Sequence, residues 1–194
     1  MTEQAPLSVG ELERPQARHD SQALTSWLAA LVRNREYGTL AELRRARGGT
    51  NAHIRAGWYG GDDNRDLFER IAFLFAIYHQ GRPVPAYGYG SLGAAARRIG
   101  DSIGRGPDNP GAQRLLNRVV ASRRIPWRHL QHAVARLRSC EQPPPSWAQL
   151  TEDLIKWNDR TARVAYWWSV EFHTPAEHGR PPRSETTTRK DTLS

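Results

Sequence analysis

Apolar side chains recur at intervals of three and four from about residue 21 to residue 172, with no convincing run of period-two alternation. That spacing gathers apolar positions on one face of an α-helix, so the folded part is predicted to be all-α. A first helix is predicted over residues 21–35, with Leu24, Trp27, Leu28 and Leu31 inward and Ser21 as its cap. A second starts near Thr39, turns Leu40 and Leu43 inward and Arg44, Arg45 and Arg47 outward, and stops at Gly48 and Gly49. Asp62 or Asp63 can cap a third, in which Leu67, Ile71, Leu74, Phe75 and Tyr78 form a wide apolar stripe.

Further along, Ser91 opens a helix predicted to reach Ile103, and the turn-rich stretch 104–110 follows it. Asn109 as cap and Pro110 as first helical residue start the next helix, with Leu115, Leu116, Val119 and Val120 inward. Pro126 starts another, with Leu130, Val134 and Leu137 on its core side. Beyond the proline run 143–145, Ser146 and Gln149 make a capping-box pattern for a last helix carrying Trp147, Leu150, Leu154, Trp157, Val164, Trp168 and Phe172. Trp27, Trp147, Trp157 and Trp168 fall on apolar stripes and are expected in the core, whereas Trp58, Trp127 and Trp167 are unassigned. Residues 1–20 and 173–194 are rich in Pro, Thr, Ser, Arg and Glu and hold little to bury, so both ends are expected to be disordered. The expected organisation is a helical bundle in two small lobes, an N-terminal one over 21–105 and a basic one over 106–172.

Composition sharpens this picture in one direction. The 194 residues suffice for a buried core, and the formal charge is +8 with Lys156 and Lys190 as the two lysines among 28 basic side chains. A chain so rich in arginine takes a polyanion as its first expected partner. Cys140 is the single cysteine, which excludes an internal disulfide scaffold and cysteine-built zinc fingers. The longest strongly apolar stretch, 71–78, falls far short of the ~20 residues of a membrane-spanning helix. Residues 1–18 are polar, without the apolar run of a secretory signal, and the protein is expected to be cytoplasmic.

Enzyme-like motifs fail on context. Residues 88–93, Gly88, Tyr89, Gly90, Ser91, Leu92 and Gly93, match the glycine fingerprint of dinucleotide-binding folds, but a proline-broken loop precedes them where a buried strand is required. The bland reading is a loop with Ser91 as helix cap. His129 and His132 lie three apart without a third ligand between residues 109 and 140, and no base is spaced to activate Cys140. No catalytic residue, metal or cofactor is expected.

The strongest signal lies in residues 109–140, where Arg114, Arg118, Arg123, Arg124, Arg128, Arg136 and Arg138 occur with no acidic residue. Arg114 and Arg118 share a helix face, as do Arg128, His132 and Arg136. A solvated surface normally intersperses Glu and Asp among its cations, so the uncompensated charge favours an external polyanion. Arg44, Arg45 and Arg47 form a second cluster, and Lys156, Arg160 and Arg163 a third. Planar guanidinium groups bind phosphate through paired hydrogen bonds and stack on unpaired bases, which suits a single strand as well as a duplex.

Several stretches, taken in order, resemble the CasB family, the small subunits of the type I-E CRISPR effector Cascade. They are Ala41, Glu42, Leu43, Arg44, Arg45 and Ala46; the apolar helix 68–76; Ser91, Leu92 and Gly93; Arg114, Leu115 and Leu116 leading to Ser122, Arg123 and Arg124; and Trp157 with 166–172. The resemblance spans roughly residues 21–172. It implies an all-helical, two-lobed, non-catalytic protein present as two copies in the complex. There the subunits contact the CasC backbone, CasA, the guide RNA with its target, and the displaced DNA strand. The family's basic surface matches Arg44, Arg45, Arg114 and Arg123. Asn158 and Asp159 depart from the family pattern by interrupting the basic stretch between Lys156 and Arg160. A different class of reading draws 110–121, 122–125 and 126–139 as a helix-turn-helix, which would make the chain a sequence-specific DNA-binding regulator with Arg128 and His129 in the major groove.

Overall fold

A computed structural model describes residues 20–45 and 49–174. These residues form nine α-helices: α1 (Ser21–Arg33), α2 (Tyr37–Leu43), α3 (Asn51–Trp58), α4 (Gly61–Tyr78), α5 (Leu92–Ala96), α6 (Pro110–Val120), α7 (Trp127–Ser139), α8 (Trp147–Ile155) and α9 (Val164–His173). A short 3-10 turn, Gly106–Asp108, precedes α6. No strand occurs among the described residues, in keeping with the all-α expectation.

The most apolar stretch of the chain becomes the hub. Helix α4 packs against α1, α2, α3, α7 and α8, and its Phe68, Ile71, Phe75 and Tyr78 are fully buried. Helix α8 therefore reaches back from the C-terminal side of the 104–110 turn to pack on α1 and α4. Helices α5, α6 and α9 pack together on the other side, and α7 touches both groups through α4 and α6. One continuous hydrophobic cluster links them, from Leu24 in α1 to Phe172 in α9. Burying a large apolar side chain of this kind stabilises the fold by about 1.5–3 kcal/mol.

The caps explain most boundaries. Asp20, rather than Ser21, caps α1 by accepting from the Ala23 amide at 2.7 Å. Ser21 is instead buried and donates to Glu152 Oε1 at 2.8 Å, tying α1 to α8. Helix α4 begins at Gly61 with no side-chain cap, and Asp62 and Asp63 lie in its first turn, where carboxylates complement the helix dipole. Ser91, Asn109 and Ser146 cap α5, α6 and α8 as predicted.

Four expectations about the helices are corrected. Helix α1 ends at Arg33, two residues short of the predicted 35. Helix α2 starts at Tyr37 and ends at Leu43, with Arg44 as its C-cap. Helix α5 stops at Ala96, because the chain turns back after Ile99, whose carbonyl accepts from the Gly106 amide; Ile103 stands 95% exposed. The predicted last helix divides into α8 and α9. Asp159 Oδ1 accepts from the amide and hydroxyl of Thr161, and Arg163 adopts a left-handed conformation at φ 48, so the break is built from turn chemistry. Asp20 and His173 belong to the fold; the disorder expected for the rest of the two ends falls outside the described residues, as do Arg47 and Gly48.

The glycine fingerprint has a packing role. A Cβ on Gly88 would strike the Pro144 and Pro145 carbonyls, and one on Gly93 would fall on the Trp168 carbonyl. The loop 87–90 runs beside residues 144–147, with Tyr89 N–H donating to Pro144 and Ser146 N–H to Gly90. These glycines allow two backbones to touch, and Ser91 donates to Glu171 across the α5 and α9 contact.

Candidate nucleic-acid interface

Helix α6 buries Ala112, Leu116 and Val119, with Leu115 and Val120 half-buried against the core. Arg114 and Arg118 project from its opposite face into solvent. Helix α7 likewise buries Leu130, Ala133, Val134 and Leu137 and exposes Arg128, His132 and Arg136. Arg123 and Arg124 are exposed in the connection between the two helices. Within the described residues, the side chains of Arg114, Arg118, Arg123, Arg124 and Arg128 form no ion pair or hydrogen bond. Five cations presented this way make no internal ion pair and remain available to an anion.

The other expected residues fall at different places. Arg44 is half-buried at the end of α2 and Arg45 is exposed beyond it, while Arg47 lies outside the described residues. Lys156, Arg160 and Arg163 are exposed in and around the turn between α8 and α9, and the Arg163 guanidinium stands over the Tyr166 ring at 4.0 Å. That is a cation–π contact, and it keeps the charge at the surface.

A cleft of about 730 Å³ brings Arg45 and Arg128 together, although they are far apart in sequence. It is lined by Asp66, Glu69, Arg70 and Phe73 of α4, by Trp127, Arg128 and Gln131 of α7, and by His53 of α3. The Arg70 guanidinium lies 5.3 Å from the centroid of the Trp127 ring. Sequence reasoning missed Arg70, because beside Asp66 and Glu69 it reads as part of a mixed, solvated helix face. The unassigned tryptophans also find places: Trp127 lines this cleft, Trp167 is half-buried, and Trp58 is 66% exposed on α3.

His129 and His132 sit edge to face with ring centroids 6.4 Å apart. Among the described residues, no group of three or more His, Cys, Asp or Glu side chains is placed to hold a metal. No helix among them is long and apolar enough to cross a membrane. The first turn of α7, which a helix-turn-helix regulator would insert into a major groove, shares the cleft with α4.

A model of the family of CRISPR-associated protein Cse2 matches residues 39–173, from α2 to the end of α9. The chain belongs to the Cse2 family. No curated protein matches it. The fold is similar to the crystal structure of CasB from Thermobifida fusca, with a TM-score of 0.55 and 18% identity over 80% of this chain and 100% of that one. The matched span contains the acid-free stretch 109–140, the cleft and the turn between α8 and α9, so the arginines described above lie within the Cse2-family region.

Proposed function

We propose that this chain is the non-catalytic small subunit of a type I-E CRISPR surveillance complex, and that its arginine faces brace the guide RNA and target hybrid and hold the displaced DNA strand. The observation that carries this reading is the match of residues 39–173 to the Cse2 family, with five exposed arginines in and between α6 and α7 that have no acidic partner. Its partners in the complex are the CasC backbone, CasA, the guide RNA, the displaced strand and a second copy of the chain.

The energetics explain why a binding subunit suffices. Exchanging a DNA duplex for a guide and target hybrid is nearly balanced, so modest contacts to nucleic acid can tip the exchange. Arginines that neutralise phosphates of the displaced strand slow its return to the duplex. Arg44, Arg45, Arg114 and Arg123 are the first positions for this work, with Arg118, Arg124, Arg128, Lys156, Arg160 and Arg163 extending it.

The test has two stages. Co-purification of the tagged chain with the products of neighbouring genes is expected to yield a ribonucleoprotein with a short RNA and about two copies of this chain. Replacing Arg45, Arg114 and Arg123 together by Ala is then expected to weaken strand displacement without preventing assembly. An unchanged displacement yield at physiological salt, or recovery of the chain alone without RNA, overturns the reading.

A further inference from the structure

We propose that the cleft between α4 and α7 is a pocket for one unpaired nucleotide, in which Arg45 and Arg128 hold the phosphate and Trp127 with Arg70 stacks on the base. This rests on the reading of the chain as a nucleic-acid-binding subunit and goes beyond it, because charge neutralisation alone requires no pocket.

The chemistry of the walls selects the ligand. A cleft lined by arginines alone fits a bare phosphate, and one lined by carboxylates alone fits a cation. Here Arg45 and Arg128 are exposed at the cleft, while Asp66 and Glu69 face it without an ion pair or hydrogen bond to any described residue. Trp127 and Arg70 line the same cleft as a cation–π pair, the guanidinium carbon 5.3 Å from the ring centroid. A nucleotide carries the matching set: an anionic phosphate, a planar π face, and base-edge N–H donors such as the cytosine amino group that carboxylates accept from. Gln131 adds a donor and an acceptor to the same lining. The volume of about 730 Å³ lies within the ordinary range of small-ligand sites.

The pocket also requires an unpaired base. A duplex presents its bases edge-on at the bottom of a groove and offers no free π face, so phosphate contacts with a duplex leave the indole unused. Either a displaced DNA strand or an exposed guide nucleotide supplies the shared chemistry.

The experiment separates the base from the backbone. Full-length protein is titrated at low salt with a labelled short oligodeoxycytidylate, with the matching oligoribonucleotide, and with abasic strands of the same length that keep every phosphate. The native chain is expected to bind base-bearing strands about tenfold more tightly than abasic ones, the size typical of a stacked base. Trp127→Leu should remove that ratio while leaving abasic binding unchanged, and Trp127→Phe should restore most of it. A ratio confined to DNA assigns the pocket to the displaced strand, and one confined to RNA assigns it to the guide. Equal binding of base-bearing and abasic strands by the native chain overturns the pocket and leaves the arginine reading intact, as does a ratio that survives Trp127→Leu. Failure to bind any strand also overturns the pocket, whereas the proposed function is judged separately by strand displacement in the assembled complex.

Discussion

At the C-terminal end of α4, His79 stacks on Phe75 with ring centroids 3.8 Å apart and is only 2% exposed. Its Nδ1–H donates to the Phe75 carbonyl at 2.9 Å, and its Nε2 accepts from the Ala86 amide at 2.8 Å. That pairing needs the neutral ring, and burial lowers the imidazole pKa from 6.5 to about 4. The unfolded chain therefore binds a proton that the folded one refuses between these two values. Stability from this site is complete above pH 6.5 and is lost as the pH falls toward 4, by about 3 kcal/mol in all. Urea midpoints at pH 7 and pH 4.5 check this. His79→Phe, which does not titrate, should lose less stability across the window than the native chain does. The neighbouring Trp147 is fully buried and donates from Nε1 to the Ala86 carbonyl, so Trp147→Ala should cost about 3–5 kcal/mol, read as a lower urea midpoint at pH 7. The burial of Trp147 was legible from its place on an apolar stripe. The role of His79 was not, because one of its partners, the Ala86 amide, is brought close by the loop that follows α4.

Between elements, the same logic decides what periodicity could reveal. Helix α4 was readable because Leu67, Ile71, Leu74, Phe75 and Tyr78 mark its buried face with large side chains. Helix α3 was not, because it buries Ala52, His53, Ala56 and Gly57, small or polar residues that make no apolar stripe yet let α3 lie close on α4. The division of α8 from α9 escaped for another reason. Trp157 and Val164 lie seven apart and keep the helical spacing across a turn that Asp159 and Arg163 create. Close approach also gives two glycine substitutions opposite signs. Gly93→Ala drives a methyl into the Trp168 carbonyl where α5 crosses α9, and should cost about 1–3 kcal/mol. Gly38→Ala in α2 meets nothing within 4 Å and should instead stabilise by about 0.5–1 kcal/mol. Thermal unfolding of both variants measures the difference, each kcal/mol moving the midpoint by about 2–4 °C.

Across the whole molecule, charge is separated from packing: each basic helix turns its apolar residues to one shared core and its arginines away from it. The exposed cations of α6 and α7 could be read from the missing acids between residues 109 and 140, since a helix period assigns inside and outside once the apolar positions are known. The meeting of one of them, Arg128, with Arg45 and Arg70 at one cleft could not, because it depends on how α4 and α7 pack. If the arginines act by neutralising phosphates, binding must weaken with salt, with a log–log slope of about −0.7 per contact on a single strand. Removing Arg45, Arg114 and Arg123 together should then make the slope shallower by about two, and should weaken binding more at low salt than at high. A variant that lost affinity equally at every salt concentration would have lost shape or stacking instead of phosphate contacts. Measured on single strands bound by the assembled complex, the slope therefore distinguishes phosphate contacts, that of Arg45 at the cleft included, from stacking by Trp127, because removal of a stacked base lowers affinity without changing the number of ions released.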